Sequence, residues 1–354
     1  MPLAGWPISR WQRSAGVIGN GNSHPKTEAA SSPGGFSFAR KTARIGPAAL
    51  TLQPATFKPA VASSSSPPVS SYAPPAALAD LHILDFLELA GSQAKAGAAL
   101  AMHQSTVCRS LQLMQLQFRL VPRQGSSVCR HGHNTCLQHL RLAYREHRLM
   151  EGLLRIGTDV LHQRLLHGLA GIQQVPARCR QAEHWAELVR HGLLDGALLS
   201  SFCLERRLLS GQLPHWEGLS VMPLGQLRLQ LVATAATSRR VLLPRRAVAP
   251  LLHQAVADQG YGVEQQPAAC QEAEAWIKRA RDRQLALPIS PELLGPRWLE
   301  RYGLQPLADQ PVLVEQLWLL LPQGAANGSA AREALRVLRQ QLRLAETMQD
   351  PHEN

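Results

Sequence analysis

Residues 87–118, LELAGSQAKAGAALAMHQSTVCRSLQLMQLQF, constrain the fold more than any other stretch, because two short helical patterns meet there across a break of a few residues. In the first, Ala98, Ala99 and Leu100 form a small-residue packing face. The chain breaks around Met102 and His103, and Gln104, Ser105 and Thr106 open a second helix. Val107, Leu111, Met114 and Phe118, spaced by four, three and four residues, form the face that this helix buries. Gln104, Ser105, Thr106, Arg109 and Gln112 are left facing outward. Hydroxyls, amides and a guanidinium at the amino end of an exposed helix bond base edges and phosphates, and the helix dipole there favours phosphate. An ordinary helical hairpin with a polar surface carries the same pattern, so the rest of the chain must decide.

The segment resembles the winged helix-turn-helix of LysR-type transcriptional regulators, whose pattern runs roughly F-x-x-x-A-x-x-G-S-x-x-x-A-A-x-x-L-x-x-S-Q-x-x-V-S-R-x-I-x-x-L-E-x-x-L-G. Gly91, Ser92, Leu100, Gln104, Val107 and Arg109 fall on it, Phe86, Ala90, Ala98 and Ala99 supply its phenylalanine and alanines two positions later, and Leu111 and Met114 are apolar equivalents. The departures are equally plain. His103 stands for the serine before the glutamine, Cys108 for the serine before the arginine, Gln115 for the glutamate and Arg119 for the glycine. The adjoining L-F-x-R is compressed to Leu120-Val121-Pro122-Arg123, which alters the wing more than the helix. The resemblance implies that His103, Gln104, Ser105, Thr106, Arg109 and Gln112 contact double-stranded promoter DNA. Arg123 and Arg130 would do so from the wing, at 123–130, where Gly125, Ser126 and Ser127 supply the turn.

With 354 residues the chain is long enough for two or three domains with cores of their own. A formal charge of +12 and a pI near 10.1 suit a polyanionic partner, because each cation set against a phosphate releases condensed counterions. Without an apolar run of about eighteen residues, nothing in the sequence spans a membrane. The six cysteines lack the spacing of a disulfide scaffold, so a reducing bacterial cytoplasm is the simplest setting and an organelle the weaker one. Cys129, His131, His133 and Cys136, in CRHGHNTC, hold four metal-capable side chains within eight residues. Structural zinc sites combine ligand pairs from separated segments, and ligands this dense rarely converge on a tetrahedron. No metal is therefore expected; His131 and His133 are available for phosphate contact, while His184 and His191 face solvent. G-x-S-x-G, H-E-x-x-H, P-loop and G-x-G-x-x-G motifs are missing and the carboxylates are scattered, so neither catalytic residues nor a cofactor are expected and the chain reads as no enzyme.

The chain divides into five segments. Residues 1–79 are rich in Pro, Ser, Ala and Gly, with Glu28 their single acidic residue, and read as a disordered leader. A transit peptide, a basic tail and a translation artefact all fit it, and the sharp onset of the pattern at Asp80 favours the last. Residues 80–132 form the winged helical unit, 133–152 a linker helix, 153–345 an effector-binding domain of two lobes, and 346–354 a tail. Leu137, Leu140, Tyr144 and His147 lie on a three-four stripe of the linker helix, through which LysR-like chains pair into dimers or tetramers; packing on its own domain is the alternative. From Leu154-Arg155-Ile156-Gly157 onward, strands and helices alternate, as in a mainly parallel sheet flanked by helices. A helix is expected near 161–173, a strand near 177–182, a helix at 183–192, a strand at 197–199 after Gly192-Leu193-Leu194-Asp195, a crossing strand at 227–234, later strands at 241–244, 284–288 and 316–320, and a closing helix at 329–345.

The fold class is thus α/β overall: a helix-rich reader, a linker helix and a two-lobed domain of the type 2 periplasmic-binding-protein kind. By the resemblance, residues after the first strand line a cleft for a small-molecule effector, which nominates Thr158, with Ser200, Ser201 and Thr234 at strand ends. Each hydroxyl serves equally well as a helix cap. RNA polymerase is a further partner that the resemblance implies. The competing class is a ligand-binding or scaffold protein descended from such a regulator that has lost specific DNA binding.

Overall fold

The computed structural model describes residues 72–209, 211–235, 238–267, 273–294, 296–307 and 313–347. The expected leader, up to residue 71, and the tail from 348 lie outside the described residues.

Three helices open the described chain: α1 (Ala79–Ala90), α2 (Gln93–Ala99) and α3 (Gln104–Gln117). Gly91 ends α1 in the left-handed region, at φ +80°, and the hydroxyl of Ser92 caps α2 by accepting the Lys95 N–H at 3.3 Å. A Cβ at Gly97 would stand 2.7 Å from the Met102 carbonyl oxygen, so the tight corner between α2 and α3 requires glycine there. Helix α1 is apolar nearly all round because three neighbours cover it. Leu81 and Leu84 meet Met114, Leu120, Leu137 and Tyr144. Ile83, Leu87 and Ala90 meet Ala96 and Val107. Phe86 and Leu89 join Trp185, Ala186 and Val189 of the α/β domain. Each buried leucine is worth about 1.5–3 kcal/mol, so the reader unit is seated firmly on the α/β domain.

After α3 the chain makes a loop rather than a wing of strands. Residues 119–134 hold no strand, and the expected wing is closed by one backbone hydrogen bond, Arg123 N–H to the Arg130 carbonyl at 2.9 Å. Asn134 then caps α4 (Thr135–Met150), its Oδ1 accepting the Leu137 N–H at 2.9 Å. Leu137 and Tyr144 are fully buried against α1, so half of the expected pairing stripe is already covered by the chain's own reader unit.

The remainder is a two-lobed α/β domain. Strands β1 (Leu154–Gly157), β2 (Ile172–Gln174) and β3 (Gly196–Ser200) are parallel, with α5 (Ala182–Arg190) between the last two. Two long strands, β4 (Leu219–Ala233) and β9 (Leu313–Pro322), pair antiparallel from Leu219↔Pro322 to Leu229↔Leu313, around a bulge at Pro223/Gly225. β9 also pairs with β3. Beyond them lie β5 (Arg240–Leu243), α6 (Pro250–Asp258), β6 (Gly262–Gln265), α7 (Ala273–Asp282), β7 (Leu287–Ile289), α8 (Pro291–Leu294), α9 (Pro296–Tyr302) and β8 (Gln305–Pro306). The far end of β4 pairs with β7 and β8, and β5 pairs parallel with β6. α10 (Ser329–Thr347) closes the chain against β4. One strand enters the second lobe and one returns, which is the type 2 two-lobed α/β arrangement.

The sheet is more mixed than alternation implied, because the entering and returning strands necessarily run against each other. Residues 161–173 form only the 3-10 turn Gln163–Leu166, since Gly168 and Gly171, both at positive φ, stop a longer helix. The second strand accordingly falls at Ile172–Gln174 instead of 177–182. Gln284, at φ +52°, ends the turn after α7, so β7 starts three residues later than expected.

A buried ionic network ties these parts together. The Asp85 carboxylate on α1 accepts from Arg141 Nε at 2.8 Å and from Arg155 Nη1 at 3.4 Å. Asp195, before β3, accepts from Arg148 Nε at 2.8 Å and from the Arg155 backbone N–H at 2.7 Å. Arg155 further donates to Gln173 Oε1, the Leu193 carbonyl and the Tyr144 hydroxyl, and Arg145 donates to the Val189 and Leu194 carbonyls. From the α/β domain Arg180 Nη2 donates to the Leu89 carbonyl at 2.7 Å, satisfying the carboxyl end of α1. Asp195→Ala would leave Arg145 and Arg148 buried without their carboxylate and is expected to cost about 3–5 kcal/mol in urea unfolding. Asp85→Ala is expected to strip hydrogen-exchange protection first from α1 and α4; protection and stability at wild-type levels in both variants would show that the network does not join the two parts.

Candidate functional site

Two regions carry chemistry. The first is the amino end of α3. His103 is its N-cap: Nδ1 accepts the Ser105 N–H at 3.3 Å and lies 2.8 Å from Ser105 Oγ, a contact in which the hydroxyl donates. His103, Gln104, Ser105, Arg109 and Gln112 are exposed, and Thr106 is half-buried. Val107 and Met114 are buried, with Leu111 and Phe118 packed at the edge, so the expected inward and outward faces are both found. Gln104 Nε2 reaches Gln93 Oε1 at 3.4 Å, and Arg109 Nε donates to the Ser105 carbonyl at 3.3 Å. These weak contacts hold the polar side chains near one another without covering them.

The loop behind α3 is less complete. Arg123 is exposed, whereas Arg130 is half-buried and turned back onto Glu88, with Nε 3.8 Å from Oε2. Glu88 also accepts the His131 N–H at 2.7 Å. Of the two expected wing cations, only Arg123 is presented to an approaching polyanion.

The second region lies where strands of both lobes end. Thr158 follows β1 and Ser200 ends β3; both are buried, while Ser201 is half-buried and Thr234 exposed. Ser200 Oγ donates to Glu315 Oε2 and accepts the Phe202 N–H at 3.1 Å, and Ser201 Oγ accepts the Gln316 N–H at 3.0 Å. Ser200 is thus the cap of a short turn, the alternative role that its sequence position left open. Thr158 Oγ1, by contrast, is buried without a hydrogen-bond partner, as are both amide atoms of Gln266, the residue after β6 in the second lobe. Buried polar atoms left unpaired at strand ends are what a cleft offers a ligand. Thr234 follows the far end of β4 and is exposed.

Sequence reasoning missed the centre of this layer. His162 Nδ1 lies 2.7 Å from Asp159 Oδ1 and Nε2 lies 2.7 Å from Glu315 Oε1, with all three side chains nearly inaccessible. Burial opposes the imidazolium, but the two carboxylates outweigh it and hold the His162 pKa well above its ordinary value. Burial likewise opposes the Asp159 charge, and His162 carries its pKa below the usual carboxylate range. The set resembles a hydrolase triad only in composition. Both imidazole nitrogens face carboxylates, so neither is free to take a proton from Ser200, whose hydroxyl is directed to Glu315 instead. The nearby thiols of Cys179 and Cys203 are pushed up by burial, which keeps them protonated and poor nucleophiles. A visible signal was Glu315 itself, which interrupts the inward alternation Leu313, Glu315, Leu317 on an otherwise apolar strand.

Two cavities flank this layer. One is an apolar pocket of about 260 Å³ between Val160 and Leu161 of the first lobe and Trp276, Leu287, Ile289 and Trp298 of the second. The other is an open groove of about 990 Å³ that includes Ser201, Leu251, Gln316 and Trp318. No described helix is long and apolar enough to cross a membrane.

No protein-family model matches the chain, and no curated protein matches it. Among solved structures it is similar to ArgP from Mycobacterium tuberculosis, at 18% identity over 74% of this chain and 96% of that one, with a TM-score of 0.41. It is also similar to the full-length LysR-type regulator LysG from Corynebacterium glutamicum with bound effector Arg, at 14% identity over 76% and 98%, TM-score 0.38. A third is full-length CbnR complexed with its target DNA, at 12% identity over 74% and 99%, TM-score 0.41.

Because the folded-state pKa of His162 is raised, its contribution to stability is full below the unfolded value of about 6.5 and is lost as pH climbs toward the folded value. Unfolding titrations of the wild type and His162→Gln at several pH values should therefore show the wild-type advantage shrinking with rising pH. An advantage that grows between about pH 6 and 9 would mean that the histidine is buried neutral.

Proposed function

We propose that the chain is a DNA-binding transcriptional regulator of the LysR type, which reads a promoter half-site with α3 and senses a small molecule between the lobes of its α/β domain. The observation that carries the reading is the two-faced character of α3. Its apolar face is locked into α1 and α2, while His103, Gln104 and Ser105 are exposed in the first turn, where the helix dipole is positive, and Arg109 and Gln112 continue the exposed face along the helix. The effector would sit at the lobe boundary, with its apolar body against Trp276 and Trp298 and polar contacts from the Gln163, Arg164, His167 and Gln174 side chains that line the same pocket.

In this reading the chains pair through the α/β domain rather than through the α4 stripe, a choice supported by the burial of Leu137 and Tyr144 within one chain. Leu140, half-buried at the edge of that stripe, is the position at which the two arrangements differ. A second reading, a ligand-binding or scaffold protein that no longer reads DNA, is favoured by the loop: Arg119 takes a strained φ of +50° where glycine fits better, and Arg130 is paired with Glu88.

On a duplex selected from a random pool, Arg109→Ala should lose about 1–3 kcal/mol of specific binding, while Arg123→Ala should weaken all sequences alike and lower the salt slope by about one. Arg130→Ala should leave that slope unchanged. Wild-type affinity in both the Arg109 and Arg123 variants at moderate salt would overturn the DNA reading and leave the scaffold. Light scattering on Leu140→Glu is expected to show the wild-type oligomer; dissociation to monomers would return the contact to α4.

A further inference from the structure

The loop behind α3 and the end of α5 bring together a group of side chains that neither the reader nor the cleft uses. The ligand-capable atoms of Cys129, His133 and His191 all lie within 4.8 Å of one another. The rings of His133 and His191 meet edge to face at 4.6 Å between centroids. We propose that these three residues form a zinc site that clasps the reader loop to the α/β domain.

Four observations support it. First, the ligands come from two separated segments, Cys129 and His133 from the loop and His191 from the C-cap of α5, as a site that fastens structure requires. Second, His191 Nδ1 lies 3.1 Å from Gln138 Oε1. That amide oxygen accepts the Nδ1–H, which fixes the tautomer and leaves the Nε2 lone pair free, the usual outer partner of a metal-binding imidazole. Third, His133 Nδ1 is buried without a hydrogen-bond partner. Fourth, Cys129 is fully buried and its Sγ accepts from Arg141 Nη1 at 3.4 Å, a cation already in place for a thiolate.

Zinc–sulfur and zinc–nitrogen bonds of about 2.3 and 2.0–2.1 Å place tetrahedral ligand atoms roughly 3.3–3.6 Å apart, so side-chain rotations of about 1 Å close the set. The fourth position would hold water. Guanidinium groups, Arg141 and Arg123 among them, stand around both imidazoles. Those cations oppose a dication, but Arg141 is paired with Asp85 at 2.8 Å and the Cys129 thiolate supplies a negative charge as its proton leaves on binding.

The test uses the full chain, stripped of metal with a chelator and titrated with Zn²⁺ against a chromophoric competitor. One equivalent should bind tightly and raise the thermal midpoint. His191→Ala should weaken that site more than about 100-fold, and Gln138→Ala, which removes only the outer partner, by about 10–100-fold. Because Cys129 is a core position whose substitution also perturbs packing, Co²⁺ serves as a second readout: the sulfur-to-cobalt absorption should appear in the wild type and in Cys136→Ser, and vanish in Cys129→Ser. Failure of the wild type to bind one equivalent, equal affinity in His191→Ala, or a sulfur–cobalt band that persists in Cys129→Ser would overturn the site. None of these outcomes depends on DNA binding.

Discussion

The arrangement of the N-terminal helical unit and the α/β domain depends on two buried carboxylates, Asp85 and Asp195, shared among four buried arginines. Arginines 141, 145 and 148 come from successive turns of α4, so one face of that helix carries three guanidinium groups into the protein interior. Charges in such a place are stable only where geometry and hydrogen bonds replace the lost water, and main-chain carbonyls of 189, 193 and 194 take up several of the remaining donors. A well-packed apolar face would hold α4 equally well in free-energy terms. What the charged face adds is register: a shift of α4 by one turn would separate Arg148 from Asp195 and Arg141 from Asp85 together.

That register reaches the cleft through β1. Arg155, in the network, and Thr158 and Asp159, at the lobe boundary, are separated by only a few residues of one extended segment, about 10–13 Å of chain. Gly157 between them has no room for a side chain, since a Cβ would stand 2.6 Å from Trp185 and 2.7 Å from Leu194. The first lobe therefore holds the buried Asp159–His162–Glu315 layer in fixed relation to the N-terminal helical unit. The two lobes are joined by the crossing strands β4 and β9, and Glu315 on β9 is bonded to His162 and Ser200 of the first lobe.

Much of this was legible in the sequence, and the parts that were not share a cause. The first three helices, the inward face of α3, α4 and most of the later strands come from periodicity, caps and turn residues, which are local. The helix at 161–173 and the strand at 177–182 suggested by the same signals did not form. Arg155 and Asp195 were visible only as letters in L-R-I-G and G-L-L-D, because their role depends on partners 70 and 47 residues away in sequence. The stripe of α4 is apolar as its spacing indicates, but a stripe does not say what it meets, and α1 covers it first. Thr158, Ser200 and Ser201 were placed near strand ends by the same local logic; Asp159, His162 and Glu315 escaped it because their pairing spans 153 residues.

The loop between α3 and α4 shows how far local density misleads. Four metal-capable side chains within eight residues argued against a site, since such close neighbours diverge as the chain turns. Two of the four do part from the others: the His131 backbone N–H is engaged by Glu88, and Cys136 is exposed in the first turn of α4. The turn that separates them aims Cys129 and His133 at one point, with Cys129 held at φ +54° and Gly132 at +119°, pressed against Leu120. The third member arrives from α5, where a Cβ on Gly192 would stand 3.2 Å from the Arg141 side chain, so glycine there lets the helix end lie close to α4. Arg141 belongs to both arrangements, donating to Asp85 on one side and to Cys129 Sγ on the other. The contact that fixes the register of α4 therefore also fixes where the Cys129 sulfur lies relative to the two imidazoles.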